Sequence, residues 1–91
     1  IRRFEVDLCF SAPVALHPEK GSFFYDLQEA EVSIAMGAHA LRTVVLADHT
    51  KLGTTNRVRA WDVGQIGTLI TNRAAPNAVL DQFKTTNIEV I

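Results

Sequence analysis

Phe4, Val6, Leu8 and Phe10 alternate with Glu5, Asp7 and Cys9. A period of two predicts a strand with one strongly apolar face. Pro13, Pro18 and Gly21 then fall within the stretch from Ser11 to Ser22. Fixed φ at proline and positive φ at glycine predict a loop there, with His17 to Gly21 as an exposed turn. Asp26 followed by Glu29 is a capping-box pattern that opens a helix. Leu27, Ala30, Ile34, Ala38 and Leu41 form one apolar stripe, and Val32, Met36 and Ala40 a second. The helix is therefore expected to be buried on more than one side and to end near Arg42, whose charge suits a helix C-terminus. Gly37 costs about 1 kcal/mol within a helix relative to alanine. The expected gain is close approach of another backbone.

Thr43 to Asp48 is β-branched and continuously apolar up to its last residue. That pattern predicts a strand buried on both faces. Strand, helix and strand make a βαβ unit with a right-handed crossover. Asp48 to Asn56 is a polar loop containing Gly53. Val58, Ala60 and Trp61 fit either a short edge strand or an irregular packed stretch. Ile66 to Thr71 is a further strand and Asn72 to Ala75 a loop. Pro76 suits the first turn of a second helix, whose apolar face is Val79, Leu80 and Phe83. Asn87 can end it in the left-handed conformation, before a last strand at Ile88 to Ile91. This order predicts an α/β class with a mainly parallel sheet and flanking helices, as a single domain over residues 1–91.

Charge narrows the partners. Nine Lys and Arg against ten Asp and Glu give a formal charge of −1. This chain therefore lacks the basic excess with which a domain grips nucleic acid. A single cysteine, Cys9, excludes an internal disulfide and a cysteine-built zinc site. It fits a reducing, cytoplasmic setting. His17, His39 and His49 show no His-x-x-x-His spacing, so neither a metal nor a cofactor is expected. No apolar run reaches the roughly 18 residues of a membrane helix, and no secretory signal opens the chain. The first residue is not Met. An excised or processed piece is the expectation, with apolar surface covered by a partner copy or by an absent segment.

Candidate chemistry lies beyond the carboxyl ends of the strands, where open parallel sheets bind ligands. Asp48-x-x-Lys51 places a carboxylate for sugar hydroxyls beside a mobile cation for phosphate. Thr50 adds a hydroxyl, and Gly53 permits a sharp turn. The same residues also fit a solvated turn capped by Asp48. Thr71-Asn72-Arg73 is the second such segment. Elsewhere, Cys9 reads as a packed thiol without a histidine partner, and Trp61 as core or interface. Arg57 and Arg59 fit an anion site or a solvated edge strand. Phe23-Phe24-Tyr25 fits a staple on the helix start or, as favoured here, a subunit interface. Glu29 fits a helix-start charge, and Glu31 could reach a subunit neighbour. His49 fits either a ligand contact or a solvated loop.

Val44-Val45-Leu46-Ala47-Asp48-His49-Thr50-Lys51-Leu52-Gly53 closely resembles the LADxSKFG signature of DeoR-family bacterial transcription regulators. The resemblance runs in order along nearly the whole chain. It includes Asp7-Leu8-Cys9-Phe10, Ala15 to Gly21, Glu29-Ala30-Glu31, Gly67 to Asn72 and the closing Asn87-Ile88-Glu89-Val90-Ile91. Thr50 replaces the usual Ser, Leu52 the usual Phe, and Asn72 an Asp, which removes a charge. His49 and Arg73 have no counterpart in the signature.

The resemblance implies the C-terminal part of a sugar-phosphate isomerase/deaminase-like domain, the fold of ribose-5-phosphate isomerase and glucosamine-6-phosphate deaminase. It implies a ligand site at Lys51, Asp48, Thr50 and Asn72, with Lys51 on phosphate. The effector would be a phosphorylated sugar, sensed without turnover, in a homo-oligomer. Operator DNA would be held only through an N-terminal helix-turn-helix domain absent from this chain. The alternative is a fragment of a sugar-phosphate isomerase or deaminase-like enzyme. Fold kinship alone does not decide between them.

Overall fold

The computed structural model describes residues 6–72 and 74–91. Phe4 and Glu5 of the first predicted strand, and Arg73, lie outside them. Strand β1 (Val6–Ser11) is followed by two short strands, β2 (Ala15–His17) and β3 (Gly21–Phe24). Helix α1 (Leu27–Gly37) leads to β4 (Ala40–Leu46), then β5 (Val58–Arg59) and β6 (Thr68–Ile70). Helix α2 (Asn77–Lys84) and β7 (Glu89–Val90) close the described chain. The strands sort into a parallel sheet ordered β1-β4-β6-β7 and an antiparallel sheet ordered β2-β3-β5. The α/β class with a mainly parallel sheet is thus observed.

The stretch expected to be loop between Ser11 and Ser22 instead holds a hairpin. Ala15 pairs with Phe23, Leu16 with Ser22 and His17 with Gly21. The turn between them is tied by the His17 Nδ1 atom, which accepts from the Glu19 and Lys20 amides at 3.1 and 3.3 Å. Gly21 has a φ of +95°, and a Cβ there would fall 1.9 Å from the Trp61 carbonyl oxygen. Strands this short carry no readable period, so Pro18 and Gly21 dominated the pattern. Phe23 and Phe24 are buried within the chain. They are therefore not free to form the expected subunit interface. Only Tyr25 is exposed, with the Arg57 guanidinium 5.0 Å from its ring centre.

Asp26 caps α1 as predicted, its Oδ1 accepting from the Gln28 amide at 2.9 Å, but the predicted capping box with Glu29 is not formed. The helix stops earlier than expected, however, and Arg42 lies on β4 rather than at a helix end. Pairing of Val6 with Ala40 and Leu8 with Arg42 draws this segment into the sheet. Tertiary pairing here overrides a helical pattern. The buried side of α1 is made of small residues. Ala30 is fully buried, and Ser33 and Gly37 are half-buried. Leu27, Val32, Ile34 and Met36 are exposed, so α1 is not buried on several sides within this chain. The close approach at Gly37 comes from the Trp61 side chain, not from a backbone.

The core gathers Cys9, Val45, Leu69, Trp61, Phe83 and Ile88 with Leu16, Ala47, Leu52, Ile66 and Ala75. Trp61 is 1% exposed, which settles it as core. Ser22 holds it in place: its Oγ accepts from the Trp61 amide at 3.0 Å, and its amide donates to the Trp61 carbonyl at 2.9 Å. Pro76 precedes α2, and Asn87 follows it at φ +70°, as the sequence predicts. The expectation that β4 is buried on both faces holds at Val44 and Val45, which point to opposite faces and are 6% and 0% exposed, and fails at Leu46, which is 39% exposed.

Candidate functional site

β4 ends at Leu46, and the next residue, Ala47, remains tied to the sheet through Ile70. The chain then turns through a single 3₁₀ turn at His49–Lys51, capped by Asp48. Asp48 Oδ1 accepts from the Thr50 amide at 2.9 Å and from the Thr50 hydroxyl. Its other oxygen lies 3.8 Å from the Lys51 ammonium. These hydrogen bonds from Thr50, and then the charges of Lys51 and His49, hold the Asp48 carboxyl below its ordinary pKa. The loop is anchored at its far end by Gly53, whose amide donates to the Leu16 carbonyl at 2.7 Å. A φ of +79° at Gly53 makes that turn.

The second candidate segment meets the first. Asn72 Oδ1 accepts from the His49 amide at 3.2 Å, and the Asn72 side-chain amide lies 3.1 Å from the His49 ring nitrogen Nδ1. His49, which the sequence left between a ligand contact and a solvated loop, is thus the bridge between the two loops. Asp48, Thr50, Lys51 and Asn72 accordingly stand together beyond the carboxyl ends of adjacent strands β4 and β6. Nothing local in the sequence points to this bridge, because its partners are 23 residues apart.

Chemically the site offers one mobile cation, one carboxylate held ionised, a hydroxyl and a carboxamide. The Lys51–Asp48 pair is about half exposed, so it opens at little cost when an anion approaches. Among the described residues no group of three or more His, Cys, Asp or Glu could hold a metal ion. Cys9 is buried, and burial raises its thiol pKa, which disfavours a nucleophilic thiolate. Arg59 of β5 faces Asp62 at 3.6 Å, and Arg57, just before that strand, covers Tyr25, so each arginine has a neighbour.

A feature the sequence did not reveal is a cavity of about 640 Å³ beside the end of β1, next to β4 in the sheet. Ser11, Asp26, Gln28, Glu29 and Ser33 supply its polar lining, and Phe10 and Val32 part of its apolar lining. Glu29 reads from sequence only as a helix-start charge. Its place on this cavity follows from α1 folding back over β1, which no local pattern encodes.

The fold and this loop define a parallel-sheet α/β domain with polar side chains gathered at the carboxyl ends of its strands. The family description "DeoR C terminal sensor domain" matches residues 1–73. The chain is 30% identical over 88 residues to the HTH-type transcriptional repressor CsqR of Escherichia coli K12, covering 97% of this chain and 34% of that protein. It is 26% identical over 90 residues to the HTH-type transcriptional regulator GolR of Listeria innocua serovar 6a, covering 99% and 35% respectively. The chain spans about a third of the length of these curated relatives. It belongs to the DeoR C-terminal sensor domain family, homologous to transcription regulators. Among the described residues, no helix is long and apolar enough to cross a membrane.

Proposed function

We propose that this sensor domain binds a phosphorylated sugar at the His49–Asn72 junction and does not convert it. Lys51 exchanges its exposed partner Asp48 for the phosphate, a charge-assisted contact in which the ammonium acts as a point charge. Asp48 and Thr50 hold the turn and present oxygen atoms to sugar hydroxyls. Asn72 ties the β6 end to the same site. The observation that carries this reading is the union of both strand-end loops through His49 and Asn72, with the Lys51 ammonium beside them. The relatives are named as regulators, and the only carboxylate of the loop is already committed to its own turn. A regulator needs no acid or base poised for proton transfer, whereas an isomerase or deaminase does.

In this reading the effector favours one of two arrangements of a cytoplasmic homo-oligomer. It acts on operator DNA through a helix-turn-helix domain outside this chain. Only a difference in affinity between the two arrangements can shift DNA binding. The test is calorimetric titration of the full-length regulator with ribose 5-phosphate, glucosamine 6-phosphate and related sugar phosphates. Binding by the wild type, weakened at least about tenfold in Lys51→Ala, is expected for loss of a charged contact. Equal binding by both overturns the site, and conversion of any bound sugar overturns the non-enzymatic reading.

A further inference from the structure

The phosphate contact proposed for Lys51 leaves a charge unanswered. Phosphate that takes the Lys51 ammonium also takes it from Asp48, whose carboxylate lies 3.8 Å away. A phosphate monoester carries about −1.5 to −2 at pH 7. One ammonium then serves two anionic groups, which repel each other. Asp48 does not relieve this by taking up a proton, because the Thr50 amide and hydroxyl both donate to it and favour its ionised form. A further donor is required.

His49 carries one. Its hydrogen bonds fix which ring nitrogen holds the proton. Asn72 Oδ1 accepts from the His49 backbone amide at 3.2 Å, which sets the orientation of the carboxamide. The carboxamide nitrogen then lies 3.1 Å from ring Nδ1. That nitrogen only donates, so Nδ1 accepts and Nε2 holds the proton of the neutral ring. A protonated ring fits the same frame, since Nδ1 also lies 3.2 Å from Oδ1 and can donate to it. Nε2–H is a donor in both states. It has no hydrogen-bond partner among the described residues, and because Nδ1 faces Asn72 it points away from the bridge. The ring is half-buried, and its charge, like that of Lys51, acts on the Asp48 carboxylate. Imidazole and ammonium therefore stand within electrostatic reach of the same carboxylate.

We propose that His49 is a second phosphate-binding residue of this site, its Nε2–H donating to a phosphate oxygen beside Lys51. The inference rests on the phosphate reading of the loop given above and adds a directional contact to it. Lys51 is a flexible point charge and sets no angle. His49 does, because its ring is held at Nδ1. A neutral carboxamide at Asn72 suits this role. A carboxylate there would still accept from the His49 amide, but its charge would repel the incoming phosphate.

The test is phosphorus NMR titration of the full-length regulator with inorganic phosphate at fixed ionic strength. The proteins compared are the wild type, His49→Asn, His49→Gln and Lys51→Ala. His49→Asn keeps a polar atom at the place of Nδ1, and so the contact with Asn72, but lacks the outer N–H. His49→Gln has an N–H at the outer position and lacks the inner contact. Phosphate binding should weaken at least about fivefold in His49→Asn, as for loss of a hydrogen bond to a charged group, and less in His49→Gln. A larger loss in His49→Gln than in His49→Asn overturns the proposal, because that order assigns His49 to the bridge alone. Wild-type binding by His49→Asn also overturns it, and the Lys51 site stands if Lys51→Ala still weakens binding. If neither His49→Asn nor Lys51→Ala weakens binding, both readings fall.

Discussion

The indole of Trp61 lies so close to Gly37 that a Cβ on the glycine would fall 2.6 Å from the ring nitrogen. The same nitrogen donates to the Ser33 carbonyl at 2.8 Å, one turn earlier on α1. The end of α1 is thereby fastened to the segment that joins β5 to β6. The ring is 1% exposed and cannot swing away without emptying the core. Gly37→Ala should cost about 1–3 kcal/mol through overpacking, although alanine is the better helix former. Gly64→Ala is the matched control, because nothing lies within 4 Å of a Cβ there and its φ is not positive. Urea unfolding of both variants checks this, and equal midpoints would contradict it.

Gly21 and Gly53 separate two reasons for keeping a glycine. Both have positive φ, but a Cβ on Gly53 meets nothing within 4 Å, whereas one on Gly21 would overlap the Trp61 carbonyl oxygen. Gly53→Ala should therefore cost about 1–2 kcal/mol, the conformational penalty alone. Gly21→Ala should cost more than about 3 kcal/mol, since the backbone contact between Ser22 and Trp61 must move as well. Thermal melts of the two variants give the ranking, and the reverse order would refute it.

These contacts show what a sequence displays and what it hides. The Asp26 cap and the left-handed Asn87 are local events, governed by a few consecutive residues, and both are visible in the pattern. So is the capped turn at Asp48, one of the alternatives open at that position. The helix end is not visible, because Ala38, Ala40 and Leu41 continue a helical spacing while β1 recruits the segment into the sheet. The run Val44-Val45-Leu46 predicts burial on both faces, which Val44 and Val45 show and Leu46, at the end of the strand, does not. The His49–Asn72 bridge is hidden for the same reason as the Trp61–Gly37 contact: each joins residues more than twenty positions apart.

Asp48 should show a measurable dependence on Thr50. Its carboxyl is held below the ordinary range first by the Thr50 hydroxyl, then by the Thr50 amide. A depressed folded-state pKa contributes stability above the unfolded pKa and loses it as pH falls through the folded value. The loop should therefore keep its cap at neutral pH and give it up only in acid, below about pH 4. Thr50→Val removes the hydroxyl and leaves the amide, so the Asp48 pKa should rise toward the ordinary value without reaching it. Carboxyl carbon NMR titration reads this directly. An unchanged pKa would show that the hydroxyl does not hold the carboxylate in solution.

Asn72 bears on the site through His49, which gives it a signature distinct from that of Lys51. Its Oδ1 accepts from the His49 amide, and its side chain also meets the His49 ring. Asn72→Ala should free that amide and loosen the turn that presents Lys51, while leaving the core cluster intact because Asn72 is exposed. The expected result is hydrogen exchange at the His49 amide faster by about tenfold, with the global unfolding midpoint nearly unchanged. Sugar-phosphate binding should weaken with it, but less than in Lys51→Ala, because the ammonium is still present and only its position is less fixed. Asn72→Asp keeps the acceptor and should preserve slow exchange. If Asn72→Ala leaves the His49 amide as protected as before, the two loops are not held together by this bridge, and the case for a joint site at the ends of β4 and β6 loses its main support.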